Sequence, residues 1–528
     1  MRTLLRVLAW LAGCAALAAV AWVLWVGTLA TDGGPDGRPS YGAYTWTQGP
    51  PPRGGPAPRQ DGYVVGSEGH AFILPPMPPE RPMDVHRWKT VAHNNALRSC
   101  FWPGPKLRAG YYTTDPDDYG IENQLPDTMN TFSTAWFRIP AGARLVVRGE
   151  FPRMRHWSFT TYREDGVPRD RIDDDQIDPD TGSFNPFRPG VPRDATPRRY
   201  TFQIVNGDPP DPRPRNTVYT LAPPGAAIGM HMRNYVPDRS VDWLGGVAPP
   251  EVDLVFDDGR VLQGEEACAV THAPLRGKQV PHALKPAVWQ ALTRLPWEDR
   301  DTSPAEAFEA APMEMFFNRS YLMLKHFLPP LALERLAVQR GGFWSNPSTR
   351  YGYKYINQRF GKVYVVRGRM PTVPRTWSGD SAPLDQSADM RYWSICTTAA
   401  PPTGLTVDCL FDEAVLPTLD ARGYFTVVVS RSPERPANAT DACGVAWMEW
   451  GNGDGIPGGS RDFGAIVNRH TRVNSAFAHS WFAVTRPGTE RAALGEYLPY
   501  VLNLHDKARF EALGCPVDLS RLDAMLPR

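Results

Sequence analysis

Leu145-Val146-Val147-Arg148-Gly149 recurs further along the chain as Tyr364-Val365-Val366-Arg367-Gly368, and Met154-Arg155-His156-Trp157-Ser158 recurs as Met390-Arg391-Tyr392-Trp393-Ser394. Tyr200-Thr201-Phe202-Gln203-Ile204-Val205 then parallels Tyr424-Phe425-Thr426-Val427-Val428-Val429. Ile228-Gly229-Met230-His231-Met232 has a looser counterpart in Val445-Ala446-Trp447-Met448-Glu449. Four segments in one order mark an internal repeat. Each segment is short, rich in β-branched or aromatic residues, and bounded by Gly, Pro or Asp, which reads as a strand. In 154–162, Trp157 and Phe159 fall on one face while His156, Ser158 and Thr160 fall on the other. The expectation is a mostly β fold: two related antiparallel β-sandwich domains, repeat 1 over 95–268 and repeat 2 over 345–485.

Outward from the repeats the pattern changes. Ser303-Pro304-Ala305-Glu306 has the form of a capping box with proline at the first helical position. It opens an apolar-rich stretch through Phe308, Met315, Phe316 and Leu322. Leu331 to Arg340, stopped by Gly341-Gly342, predicts a second helix, so 276–340 reads as a helical bridge. Residues 486–528 form a C-terminal extension that ends in a short helix.

The N-terminus sets the expected compartment. Leu8 to Ala30 is an uncharged run of 23 residues, preceded by Arg2 and Arg6 and followed by Asp32 and Asp36. That length spans a bilayer, and the charge asymmetry leaves the N-terminus cytoplasmic. Residues 1–30 are therefore read as a signal anchor in the bacterial inner membrane, single pass, with an extracytoplasmic ectodomain. Cleavage near Ala30 or lipidation at Cys14 are the competing readings. Residues 31–60, with seven glycines and seven prolines, read as a tether. The six cysteines beyond Cys14 suit disulfides in an oxidising compartment. The favoured pairings are Cys100–Cys268 and a bridge among Cys396, Cys409 and Cys443. A net charge of +1 without a basic stripe argues against nucleic acid as a partner.

Standard catalytic signatures (GxSxG, HExxH, a P-loop, paired CxxC) do not occur in the sequence. The densest acidic run is Asp170, Asp173, Asp174, Asp175, Asp178 and Asp180, closed by Gly182. Oxygen ligands at alternating positions suit a hard cation, which makes Asp173, Asp175, Asp178 and Asp180 a candidate Ca²⁺ set; the alternative is ordinary turn chemistry. Arg155 and Arg233 lie on strands, where an arginine is either paired or faces a ligand. Arg155, Asp175, Asn185 and Arg233 are the candidate ligand contacts, and Asp175 with His156 or His231 is the candidate acid–base set.

Met154 to Tyr162, Asp178 to Phe187, Asn216 to Tyr219, Tyr235 to Asp238, Gly245 to Val247, Tyr392 to Cys396, Val407 to Cys409 and Arg435 to Ala439 together resemble a family of uncharacterised bacterial exported proteins. That resemblance implies the duplicated β fold and the exported location, and it carries no activity. Three functions remain open. The leading one is a membrane-anchored envelope protein that binds a polar or amphipathic ligand, a glycan or a lipid, through repeat 1. The others are a hydrolase acting on an envelope polymer and a structural envelope component.

Overall fold

The computed structural model describes residues 99–102, 125–273 and 310–527, with short interruptions, together with three short strands before residue 74. The expected anchor over 1–30 lies outside the described residues, and no helix among the described residues is long and apolar enough to cross a membrane. Within the expected tether and just beyond it, Thr45–Trp46, Tyr63–Val65 and Ala71–Ile73 form a small antiparallel sheet.

The first half contains β1 (Asn130–Phe137), β2 (Ala143–Glu150), β3 (Met154–Tyr162), β4 (Pro168–Asp173), β5 (Arg199–Val205), β6 (Thr217–Tyr219), β7 (Ile228–Pro237), β8 (Glu251–Phe256) and β9 (Val261–Leu262). They form two sheets, β1-β7-β3-β4 and β9-β8-β2-β5-β6. Phe137, Trp157, Phe159, Met230 and Met232 from the first sheet join Leu145, Val147, Phe202, Ile204 and Leu254 from the second in one core. The second half contains β10 (Ala310–Pro312), β11 (Glu314–Met315), β12 (Thr349–Asn357), β13 (Val363–Arg369), β14 (Met390–Thr398), β15 (Thr406–Phe411), β16 (Tyr424–Ser430), β17 (Ala446–Glu449), β18 (Phe463–Val473) and β19 (Tyr500–Leu504). Its sheets are β11-β12-β18-β14-β15 and β10-β19-β13-β16-β17. Leaving out the edge strands β9, β10 and β11, strand order is the same in both halves. Each half also carries one parallel pair, β5–β6 and β16–β17, among antiparallel neighbours. The chain is thus mostly β, with several antiparallel sheets.

Three of the four matched sequence segments occupy matching strands. The fourth does not: Val445–Glu449 belongs with the outer parallel strand β17, which corresponds to β6, while the true partner of β7 is β18. The register shows why the match was missed. Arg233 pairs with Ser158, and Arg469 pairs with Ser394, so these arginines share a position although their neighbours differ. Val236 and Arg472 follow three residues later, both with positive φ (49° and 52°). Side chains with a Cβ rarely adopt that conformation.

The sheets extend past the expected repeat boundaries. β19, in the expected C-terminal extension, pairs with β13, and β10 and β11, in the expected bridge, form sheet edges. The described helices include α1 (Gly264–Thr271) and α2 (Arg319–Phe327), and a short helix, Asp412–Val415, directly follows β15. Leu331 to Arg340 is not the expected helix but two short 3-10 turns, Pro329–Leu331 and Glu334–Leu336. Disulfides join Cys100 to Cys268, Cys396 to Cys409 and Cys443 to Cys515.

Candidate functional site

All nine residues of β3 and all nine of β14 are buried. One face of each strand meets its own core, and the other is covered where the two halves meet. The acidic loop after β4 lies at that junction. Arg155 crosses from β3 to the second half and loses all solvent contact: Nη1 donates to Asp412 Oδ1 (2.5 Å), Nη2 to Glu413 Oε1, and Nε to Thr376 Oγ1 (3.2 Å). Its counterpart Arg391 crosses the other way, donating through Nη1 to Asp174 Oδ1 (2.6 Å) and through Nη2 to the Phe187 carbonyl (2.7 Å). The acids match in detail. Asp174 Oδ2 accepts from the backbone N–H of Trp157, and Asp412 Oδ2 from that of Trp393. Asp174 Oδ1 also accepts from Asp175 N–H, as Asp412 Oδ1 does from Glu413 N–H. The contact is therefore reciprocal, as in a two-fold interface where each surface meets its own equivalent.

Electrostatics differ between the two copies. Burial pushes Asp174 up, but Arg391 and the adjacent His156 outweigh it and hold the carboxyl well below the usual carboxylate range. Burial also pushes Asp412 up; Arg155 pulls it down, Glu413 adds repulsion, and Asp412 stays above its ordinary value. Asp173 is lowered, with burial opposed by Arg472, His156 and Arg171. Asp175 is raised by burial and by Asp174 against the pull of Arg472 and Arg391.

The candidate metal residues do not converge on one cage. Asp173 accepts from Arg472 Nη1 (3.1 Å), Arg171 Nε (3.1 Å) and Ser348 Oγ (2.5 Å). Asp175 accepts from Arg472. Asp178 is held by Arg188 and Arg215, and Asp180 accepts from Thr201 Oγ1 (3.3 Å). Arginines pair with Asp173, Asp175 and Asp178 where a cation would sit. The one group of metal-ligand type among the described residues, Asp127 with Cys396 and Cys409, has both sulfurs in a disulfide.

Asn185 acts within the loop: its Nδ2 donates to the carbonyls of Asp174 (2.7 Å) and Ile177 (2.8 Å), and its Oδ1 accepts from Phe187 N–H (2.9 Å). This fixes the Phe187 carbonyl that Arg391 reaches. Arg233 sits elsewhere, on β7 opposite Ser158, on the face of the sheet away from the core. Its guanidinium lies 5.5 Å from the Phe132 ring and 5.4 Å from the Tyr162 ring, and Nη2 donates to the Trp344 carbonyl (2.6 Å). Trp344 also stacks on His231 with centroids 5.2 Å apart, roofing this end of the face. On the neighbouring strand, His156 Nδ1 is 2.7 Å from Asp174 Oδ2, and its ring lies 5.1 Å from that of Tyr235.

The buried polar atoms on this face that make no hydrogen bond include Arg233 Nη1, His156 Nε2, Ser158 Oγ and Thr160 Oγ1. The register makes them neighbours, with Ser158 opposite Arg233 and His156 opposite Tyr235. Asp175 Oδ1, at the junction, also lacks a partner. Sequence reasoning missed Asp412, Glu413, Arg472 and the Trp344 roof. Repeat alignment could have found Asp412, because it stands to Ser394 and Trp393 as Asp174 stands to Ser158 and Trp157.

No known protein family and no curated protein matches this chain. Among solved structures, an uncharacterised protein from Burkholderia cenocepacia is similar at 13% identity, covering 72% of this chain and 80% of that one with a TM-score of 0.37. A protein from Vibrio parahaemolyticus is similar at 11% identity, covering 80% of this chain and 94% of that one, with a TM-score of 0.33. The structural neighbours are bacterial proteins without a described function.

Proposed function

We propose that this chain is an exported, membrane-anchored binding protein of the bacterial envelope, built from a duplicated β-sandwich, which holds a polar or amphipathic ligand on the face of the first half that meets the second. One observation carries the reading: Arg233 Nη1, His156 Nε2 and Ser158 Oγ are buried on one face without a hydrogen bond, with Asp173 Oδ1 3.9 Å from His156 Nε2. A buried polar group left unpaired costs about 1–3 kcal/mol, so three on one face favour an occupant that pairs with them. Of the candidate contacts, Arg233 and Asp175 each keep an atom without a hydrogen bond, while Asn185 braces the acidic loop and Arg155 pairs across the junction with Asp412 and Glu413. The shared strand order and the reciprocal arginines support duplication. Three disulfides support an oxidising compartment, and the uncharged run Leu8 to Ala30 supports the anchor.

Native mass spectrometry of the purified chain tests the binding reading. Wild-type protein should carry an adduct, organic or ionic, that Arg233→Gln loses. A bare polypeptide mass for the wild type would overturn it.

A second reading rests on the Asp174–His156 pair. A carboxylate 2.7 Å from Nδ1, with Nε2 making no hydrogen bond and lying 3.9 Å from Asp173 Oδ1, orients the imidazole as a general base would be oriented. Asp175, held above its ordinary value beside it, would supply the acid of an envelope-polymer hydrolase. Turnover of a glycan substrate by wild type and its loss in His156→Gln with unchanged adduct mass would favour this reading.

A further inference from the structure

The segment after α2 inverts the usual relation between size and burial. In Leu331-Ala332-Leu333-Glu334-Arg335-Leu336-Ala337-Val338, the two alanines pack against the core of the second half. Leu331, Leu333, Leu336 and Val338 face outward at 38%, 47%, 41% and 45% exposure. Large apolar side chains normally take the inner positions, and a cluster of them left outside marks an interaction surface. The orientation is fixed. Asn318 Nδ2 donates to the carbonyls of Leu336 (2.8 Å) and Val338 (2.9 Å), and Asn318 Oδ1 caps α2 by accepting from Tyr321 N–H (2.9 Å). Turning the leucines inward would break these bonds. The surroundings are basic: Arg335 and Arg340 are exposed within the strap, and Arg486 reaches Glu334 at 3.9 Å. Phe482, four residues before Arg486, is also exposed, with Arg350 4.7 Å over its ring.

We infer that this strap is a second membrane contact, lying in the interface of an anionic bilayer with its leucines among the acyl chains and its arginines among the headgroups. Apolar side chains flanked by more arginines than acids suit that location, since burial and attraction to anionic lipid act together. The inference rests on the anchor reading in one respect: the uncharged run Leu8 to Ala30 keeps a bilayer within reach and raises its effective concentration. Docking would set the orientation of the ectodomain, placing the second half against the lipid.

The test uses the full chain in nanodiscs of phosphatidylcholine with phosphatidylglycerol and follows tryptic cleavage after Arg340, with cleavage after the exposed Arg260 as internal reference. Relative to that reference, Arg340 cleavage should be about tenfold slower in wild type than in Leu331→Glu/Leu333→Glu, a difference of about 1.4 kcal/mol in lipid contact. Both leucines are exposed, so the variant keeps its fold, which its thermal midpoint checks. Pure phosphatidylcholine nanodiscs should give weaker protection. Equal ratios in wild type and variant would overturn the inference. Alkaline carbonate extraction of cell membranes reports the anchor separately. If the chain is extracted, the anchor reading fails, and the strap must then protect Arg340 when anionic vesicles are added to the freed chain; no protection there also overturns the inference.

Discussion

Arg155→Met should destabilise the junction between the halves in a way that depends on pH. Arg155, Asp412 and Glu413 have side-chain exposures of 0%, 0% and 2%, so removing the guanidinium leaves two carboxylates without their cation. Breaking a buried pair from one side costs about 3–5 kcal/mol. Glu413 retains three donors, Trp377 N–H, Ser378 N–H and Ser378 Oγ, against two backbone N–H donors for the fully buried Asp412, so Asp412 bears more of the loss. Its escape is to take up a proton, and with an unfolded pKa near 3.9 that costs about 4 kcal/mol at pH 7 and about 1.5 kcal/mol at pH 5. The expectation is therefore a loss of about 3–4 kcal/mol at pH 7 that shrinks to about half at pH 5. The sign follows from the direction of the shift. A carboxyl raised in the folded state disfavours folding above its unfolded value, and the penalty disappears as pH falls through the folded value. Urea denaturation followed by tryptophan fluorescence at both pH values reads this, and Asp412→Asn added to Arg155→Met should recover most of the loss at pH 7. A cost below about 1 kcal/mol, or the same cost at both pH values, would refute the view that Arg155 balances a buried acid.

Asp174 should behave oppositely in the wild type: its carboxyl is depressed, so the stability it contributes is present above the unfolded value near 4 and lost as pH falls below it. Arg391→Met should flatten the pH dependence of the urea midpoint between about pH 5 and 2; an unchanged profile would exclude Arg391 as the main cause. Replacing each disulfide by alanines should cost stability in the order Cys100–Cys268, Cys443–Cys515, Cys396–Cys409, because the sequence separations are 168, 72 and 13. Loop entropy puts these near roughly 5, 4 and 3 kcal/mol, and a reversed order in urea midpoints would contradict it. Gly352→Ala should lower the thermal midpoint sharply, because a Cβ there would overlap the Trp481 indole that fills the second core. A midpoint within about 2 °C of the wild type would show that Trp481 can move aside.

Much of the β architecture was legible locally. Strand composition, period-two alternation in Met154–Tyr162, and turn residues at the ends depend on neighbours in sequence, so Trp157 and Phe159 could be assigned to a core from spacing alone. A recurring sequence pattern was legible because β2, β3 and β5 share residue types with β13, β14 and β16. Where side chains diverged, as between β7 and β18, only hydrogen-bond register restored the correspondence. Two features hid from local reading for a physical reason. Short edge strands such as Ala310–Pro312 form because a neighbour offers unpaired backbone groups, not because their own sequence demands it. Leu331 to Arg340 has helical spacing, yet Asn318 captures the carbonyls of Leu336 and Val338.

The acidic run shows the same division. Its composition was plain in the sequence, where six aspartates near a glycine turn suited either calcium or solvent. Its surroundings depend on residues far along the chain: Arg391 lies 217 positions after Asp174, and Arg472 lies 299 after Asp173. Sequence by itself determined that strands would form, that a pattern recurs, and that Arg155 and Arg391 occupy equivalent places. Only the tertiary structure decided that each arginine crosses to the acids of the other half. Ion pairing depends on distance in space and on burial, and neither is set by separation along the chain.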